Sequence, residues 1–234
     1  MTDKQYPRTV LSRDAASRPE AEYATDRYGP VFLLLVGALG STTFVDESNL
    51  ARAIVSLVLV AAVVGTLRAT GVSPLQLRIT LIVGAALAFA VVAGEVSNLA
   101  AVEVPVTLFV AGALGFAGST LLRRIFEQPT IRAKEVLAAL SAYIEFTMVF
   151  AFAYMAAARA GSEAFFTGGP ATGMGDFAYF SVVTITTLGY GDLTPATDIG
   201  RSLAMLETLF GQIFLVVLVA FLVGMLGRRR DGAT

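Results

Sequence analysis

The residues with the most chemical promise in this sequence act through their backbone. Thr187-Leu188-Gly189-Tyr190-Gly191-Asp192 sets two glycines two apart around a tyrosine. Glycine reaches backbone angles that other residues avoid. A strand whose carbonyls all face one side, instead of alternating, needs such angles at regular points, and glycine at every second position supplies them. One such strand cannot ring an ion. Four of them around an axis would stack rings of carbonyl oxygen able to replace the water shell of a bare cation. The Thr187 hydroxyl would add a further ring at one end.

Side-chain chemistry is thin elsewhere. There is no His, which removes His-based triads and His-ligated zinc. There is no Cys, which removes disulfides, thiolate metal sites and Cys nucleophiles. The acidic residues form no cluster with metal-ligand spacing, and the loops hold no nucleophile–base pair. The net charge of −1 supplies no basic field for nucleic acid. The expectation is a protein that is not an enzyme and needs no cofactor.

The elements that position the strip belong to a membrane protein. The chain is 56% hydrophobic and 15% charged, with a mean hydropathy of +0.72. Soluble domains carry about 25% charged residues. A bilayer core needs roughly 20 apolar residues of helix. Six blocks fit: Tyr28–Val45, Leu50–Leu67, Leu75–Gly94, Val104–Leu122, Val136–Ala158 and Arg201–Gly227. The first lacks the basic head and cleavage site of a secretory signal, so it reads as a retained span. A seventh segment, Gly175–Thr187, is too short to span and reads as a re-entrant half-helix. Asp176 is positioned to cap it, and it should end near Thr186, where unpaired carbonyls would favour a cation. The fold class is all-α integral membrane, with six transmembrane helices plus this re-entrant helix and the strip.

Orientation follows from the basic residues. With the N-terminus inside, all but Arg52, Arg159 and Arg201 of the 17 Lys and Arg fall on the inner side. Both termini are therefore expected in the cytoplasm, with Thr187–Asp192 toward the outer face. The expected organisation is an N-terminal tail over 1–27, a four-helix membrane domain over 28–124, a linker over 125–135, a second membrane domain over 136–227, and a tail over 228–234. Both tails are too short to bury a core.

In this slot between two spans, the Thr-Leu-Gly-Tyr-Gly-Asp run resembles the signature of the potassium channel pore family. The resemblance covers about 136–227. It implies an outer helix, a pore helix, a selectivity filter and an inner helix, assembled as a homotetramer in the plasma membrane among lipids. Potassium would be the permeant ion, held by the carbonyls of Thr187, Leu188, Gly189 and Tyr190 and by the Thr187 hydroxyl. Gly191 and Asp192 would support the filter, with Asp192 held by Tyr179, where many members carry tryptophan. Leu188 replaces the commoner Val or Ile, its side chain pointing away from the ion path. Gly211, 19 residues after Asp192, sits where members often have a hinge glycine. Close helix packing would explain it equally well. Gly200 and Arg201 resemble the family's outer end of the inner helix.

Glu145 and Glu207 lie within spans, where a carboxylate is costly and faces protein or water. Glu207 would brace the back of the pore helix, and Glu145 would do the same or pair across subunits. Neutral packing is the alternative for each. A voltage sensor needs Arg or Lys at every third position of the fourth span. Val104–Leu122 has none, and its Gly112, Gly115 and Gly118 suit close packing instead. Arg52 reads as an interface anchor, and Glu95 and Glu103 as outer-loop charges. The implied function is a potassium-selective channel subunit conducting passively and without voltage sensing. A weakly selective cation channel, or a potassium transporter subunit, is the alternative.

Overall fold

With no water to satisfy it, backbone in lipid must bond within its own segment, so long apolar runs become helices. The computed structural model describes residues 28–44, 49–82, 84–85, 103–127, 133–169 and 173–231. The tail over 1–27 and residues 86–102, Glu95 among them, lie outside the described residues. The helices are α1 (Tyr28–Phe44), α2 (Asn49–Thr70), α3 (Glu103–Glu127), α4 (Ala133–Ala160), α5 (Met174–Ile185) and α6 (Asp198–Asp231). Residues 74–82 are helical too.

Among the described residues, three stretches are long and apolar enough to cross a membrane: Glu103–Glu127, Lys134–Ala160 and Asp198–Phe221. They belong to α3, α4 and α6. The 17 residues of α1 reach only the short limit of a span. The helices also overrun the apolar blocks. The expected linker shrinks, because α3 runs to Glu127 and α4 starts at Ala133. Charged residues extend a helix into the interface at little cost, so hydropathy underestimates its length. For the same reason α6 continues to Asp231, into the expected tail.

Helix α4 is the hub and touches α1, α3, α5 and α6. Near one end of α4, Leu114 and Ala117 of α3 meet Met148, Ala151 and Tyr154, joined by Phe177 and Phe180 of α5. Near the other end, Val31 and Leu35 of α1 meet Ala138, Ala139 and Ala142, together with Phe214 of α6. Small alanines on α4 let these backbones approach closely. Helix α1 also lies against α5 and so supports the short helix directly.

The glycines of α3 do not act as one stripe. A Cβ on Gly118 would lie 3.1 Å from the Phe146 ring and 3.3 Å from Glu145 Oε2. At Gly115 the nearest atom is 3.7 Å away, and at Gly112 none lies within 4 Å. Close packing is therefore confined to the C-terminal half of α3. Glu103 is not a loop charge, since it opens α3 and pairs with Arg159 of α4 at 3.4 Å. Arg159 also donates to Thr107 at 2.9 Å.

Candidate functional site

Helix α5 delivers the strip. It begins at Met174 with Gly173 as its N-cap and no side-chain capping bond. Asp176 is therefore not the cap. The helix starts earlier, and Asp176 sits in its first turn, where negative charge still suits the helix dipole. The other end also departs from expectation. The last-turn carbonyls are all engaged, because the chain folds straight back onto them. Val182 O accepts from Thr186 N at 3.2 Å, and Thr184 O from Thr187 N at 3.0 Å. Val183 O accepts from both Leu188 N at 3.0 Å and Gly189 N at 3.2 Å. Ile185 O accepts from the Tyr143 hydroxyl of α4 at 2.9 Å. The aligned peptide dipoles still leave this end negative.

The strip then alternates. Thr187 has φ 59°, Gly189 φ 59° and Gly191 φ 80°. Leu188 and Tyr190, between them, have no positive φ. Left-handed backbone at every second residue turns successive carbonyls to one side. Among the described residues, Thr187 is the only non-glycine with positive φ. That conformation costs an L-residue about 1–2 kcal/mol. Sequence reasoning missed this strain. The signal was present, since Thr187 stands two before Gly189 as Gly189 stands two before Gly191. Within one chain the strip is open: Leu188 is 55% exposed and Tyr190 67%.

At the C-terminal end of the strip Tyr179 donates its hydroxyl to Asp192 Oδ2 at 2.7 Å. This bond holds the Asp192 carboxyl below the usual carboxylate range. The same bond pushes the Tyr179 phenol up to about 12. A lowered carboxyl value contributes stability above the ordinary aspartate range and loses it as pH falls through the folded value. The fold around the strip should therefore keep this contribution as pH falls to the ordinary aspartate value, about 4, and lose it below. Tyr179→Phe should move the Asp192 titration to higher pH, measured as its carboxylate infrared band against pH. An unmoved midpoint would show that Tyr179 does not govern Asp192.

The loop before α5 clamps the segment after the strip. Phe166 bridges Pro195, Thr167 N donates to Thr194 O at 3.0 Å, and Ala196 N to Phe165 O at 2.8 Å. Phe165 and Phe166 stack edge-on at 5.0 Å and continue into Phe177, Phe180 and Tyr154. Gly200 fits beneath, where a Cβ would lie 2.8 Å from Pro195 Cβ and 2.9 Å from Phe165 Cζ. Arg201 Nε donates to Pro195 O at 3.2 Å. Nothing in the sequence pattern announced this clamp.

Behind α5, fully buried Glu207 of α6 accepts from the Tyr154 hydroxyl of α4 at 2.5 Å through Oε2. Its Oε1 meets Ser181 Oγ of α5, which also reaches Thr147 O of α4 at 2.7 Å. Gly211 abuts the end of α5: a Cβ there would overlap the Ile185 carbonyl oxygen and lie 2.8 Å from Ile185 Cγ1. Helix α6 runs through Gly211 without a break, so packing accounts for this glycine in the observed conformation. Glu145 is not brought to this cluster. Its Oε1 accepts from Thr66 of α2 at 2.5 Å, and its Oε2 has no hydrogen-bond partner. The described residues contain no group of three or more His, Cys, Asp or Glu able to hold a metal ion.

Residues 142–228 match a protein family described as ion channel. The "Probable potassium channel protein 2" of Methanocaldococcus jannaschii is 37% identical over 70 residues, which is 30% of this chain and 18% of that protein. The "Hyperpolarization-activated voltage-gated potassium channel" of the same organism is 49% identical over 35 residues, 15% of this chain and 17% of that protein. The matched stretch spans less than a fifth of either relative's length. No solved structure matches. Residues 142–228 thus resemble an ion-channel domain, not an enzyme, and lie among helices apolar enough to cross a membrane.

Proposed function

We propose that four copies of this chain form a potassium-selective channel in the plasma membrane, conducting passively. Thr187, Leu188, Gly189 and Tyr190 would ligate the ion through their carbonyls, with the Thr187 hydroxyl at the inner end. The observation that carries this reading is the left-handed backbone at Thr187, Gly189 and Gly191. Its carbonyls face one way, and one chain supplies only one side of a ring. The exposed strip and the exposed face of α6, including Leu206, Leu209, Ile213 and Val216, would meet neighbouring copies. Gly191, Asp192 and Tyr179 would hold the outer end. Both termini would lie in the cytoplasm, with six spans in each chain.

Voltage sensing is not part of this reading. The only basic residues of α3 are Arg123 and Arg124, near its C-terminal end. A weakly selective cation channel rested on Leu188 and on the smaller Tyr179. The bond from Tyr179 to Asp192 removes the second support.

Protein in liposomes with a potassium gradient should collapse that gradient once a proton ionophore balances charge. The same assay with sodium should show little flux. Equal sodium flux would defeat the selectivity, and no flux of either ion would defeat the channel.

A further inference from the structure

The contacts around Glu207 contain a hydrogen-counting problem. Thr147 O is a carbonyl and can only accept, so the hydrogen between it and Ser181 Oγ is the serine's own. A serine hydroxyl has one hydrogen to donate. Ser181 Oγ also meets Glu207 Oε1. Both are hydrogen-bond contacts between two oxygens, so each needs a hydrogen between them. The second hydrogen has one available source, the carboxyl of Glu207.

We infer that Glu207 is a protonated carboxylic acid that donates to Ser181 and so fixes the back of the filter. The bonds then run in one direction. Tyr154 donates to Glu207 Oε2, Glu207 Oε1 donates to Ser181 Oγ, and Ser181 donates to Thr147 O. The chain starts on α4, crosses α6 and α5, and returns to α4. It ties the helix that delivers the strip to both helices flanking it. Burial agrees, because Glu207 and Ser181 are both fully buried and no Lys or Arg contacts the carboxyl among the described residues. A charge in that position would be costly, whereas a neutral acid with both oxygens bonded is not.

The titratable neighbours do not change this count. From α4, Tyr154 is bonded directly, and Tyr143 lies within electrostatic reach but gives its hydroxyl to Ile185 O. From α5, Tyr179 is engaged with Asp192. Asp176, also on α5, stands in the first helical turn, one turn and more before Ser181. Removing the proton would turn the Ser181 hydroxyl onto the carboxylate and release Thr147 O. The link from α5 to α4 would open, and the strip would lose its brace. Glu207 is thus a positioning residue, and proton loss would lower conduction.

Glu207→Gln decides the count. Its amide NH2 can donate to Ser181 while its carbonyl accepts from Tyr154, copying the neutral acid. In the infrared difference between wild type and Glu207→Gln at neutral pH, the lost signal should be a protonated-carboxyl C=O band. Loss of carboxylate bands instead would overturn the inference. So would a variant that no longer assembles, since only a charged site needs two acceptor oxygens. That readout does not depend on the proposed channel activity. The conduction part does rest on it. Potassium flux through Glu207→Gln should match wild type at neutral pH and stay constant at alkaline pH, where wild-type flux falls several-fold. Parallel profiles through the pH at which the wild-type band disappears would overturn the positioning role.

Discussion

Gly189→Ala should abolish selective potassium flux while leaving the helical protein intact. Gly189 holds φ 59°, where an alanine pays about 1–2 kcal/mol. No atom of the same chain lies within 4 Å of the added Cβ, so the backbone angle is the sole local cause. The strain is relieved if the peptide turns over, which moves a carbonyl off the ion path. In a tetramer the penalty falls on every copy. About 1.4 kcal/mol already corresponds to tenfold in an equilibrium, so even one strained copy is costly. Circular dichroism should show unchanged helix content, and flux should drop by at least that factor. Selective flux at the wild-type rate would remove Gly189 from the site.

Gly211→Ala should destabilise the protein where Gly112→Ala should not. A Cβ on Gly211 meets backbone, the Ile185 carbonyl, which cannot rotate aside as a side chain would. Ile185 is itself fully buried and pinned by Tyr143. Helix α6 must then separate from α5, and overpacking of this kind costs about 1–3 kcal/mol. Gly112 sits on α3 with open space around its Cα, and a helical glycine gains up to about 1 kcal/mol as alanine. Thermal unfolding in detergent should shift down for Gly211→Ala and stay level or rise for Gly112→Ala. If Gly211→Ala unfolds like wild type and alters only channel opening, Gly211 is a hinge and its packing is incidental.

The helices around the strip were legible because their signals are local. A long apolar run gives a helix, and glycine at every second position gives a strip of alternating handedness. The ends were less legible. Gly173, not Asp176, caps α5, because capping depends on where the preceding loop hands over. The carbonyls at its end were expected free, but they bond to residues 186–189 and to Tyr143, which lies 42 positions from Ile185. Long-range contacts of that kind leave no periodic trace. The same holds for the Phe165–Pro195 clamp and for the Ser181–Glu207–Tyr154 chain. The glycines of α3 show the limit of pattern reading. Their spacing is regular, but only Gly118 meets a close neighbour.

The central claim is that this strip passes potassium in preference to sodium. The most direct test is the reversal potential of single channels in a planar bilayer, with potassium on one side and an equal concentration of sodium on the other. Reversal should lie far from zero, with current carried from the potassium side alone. Reversal at zero would contradict that claim, whatever the flux assays show.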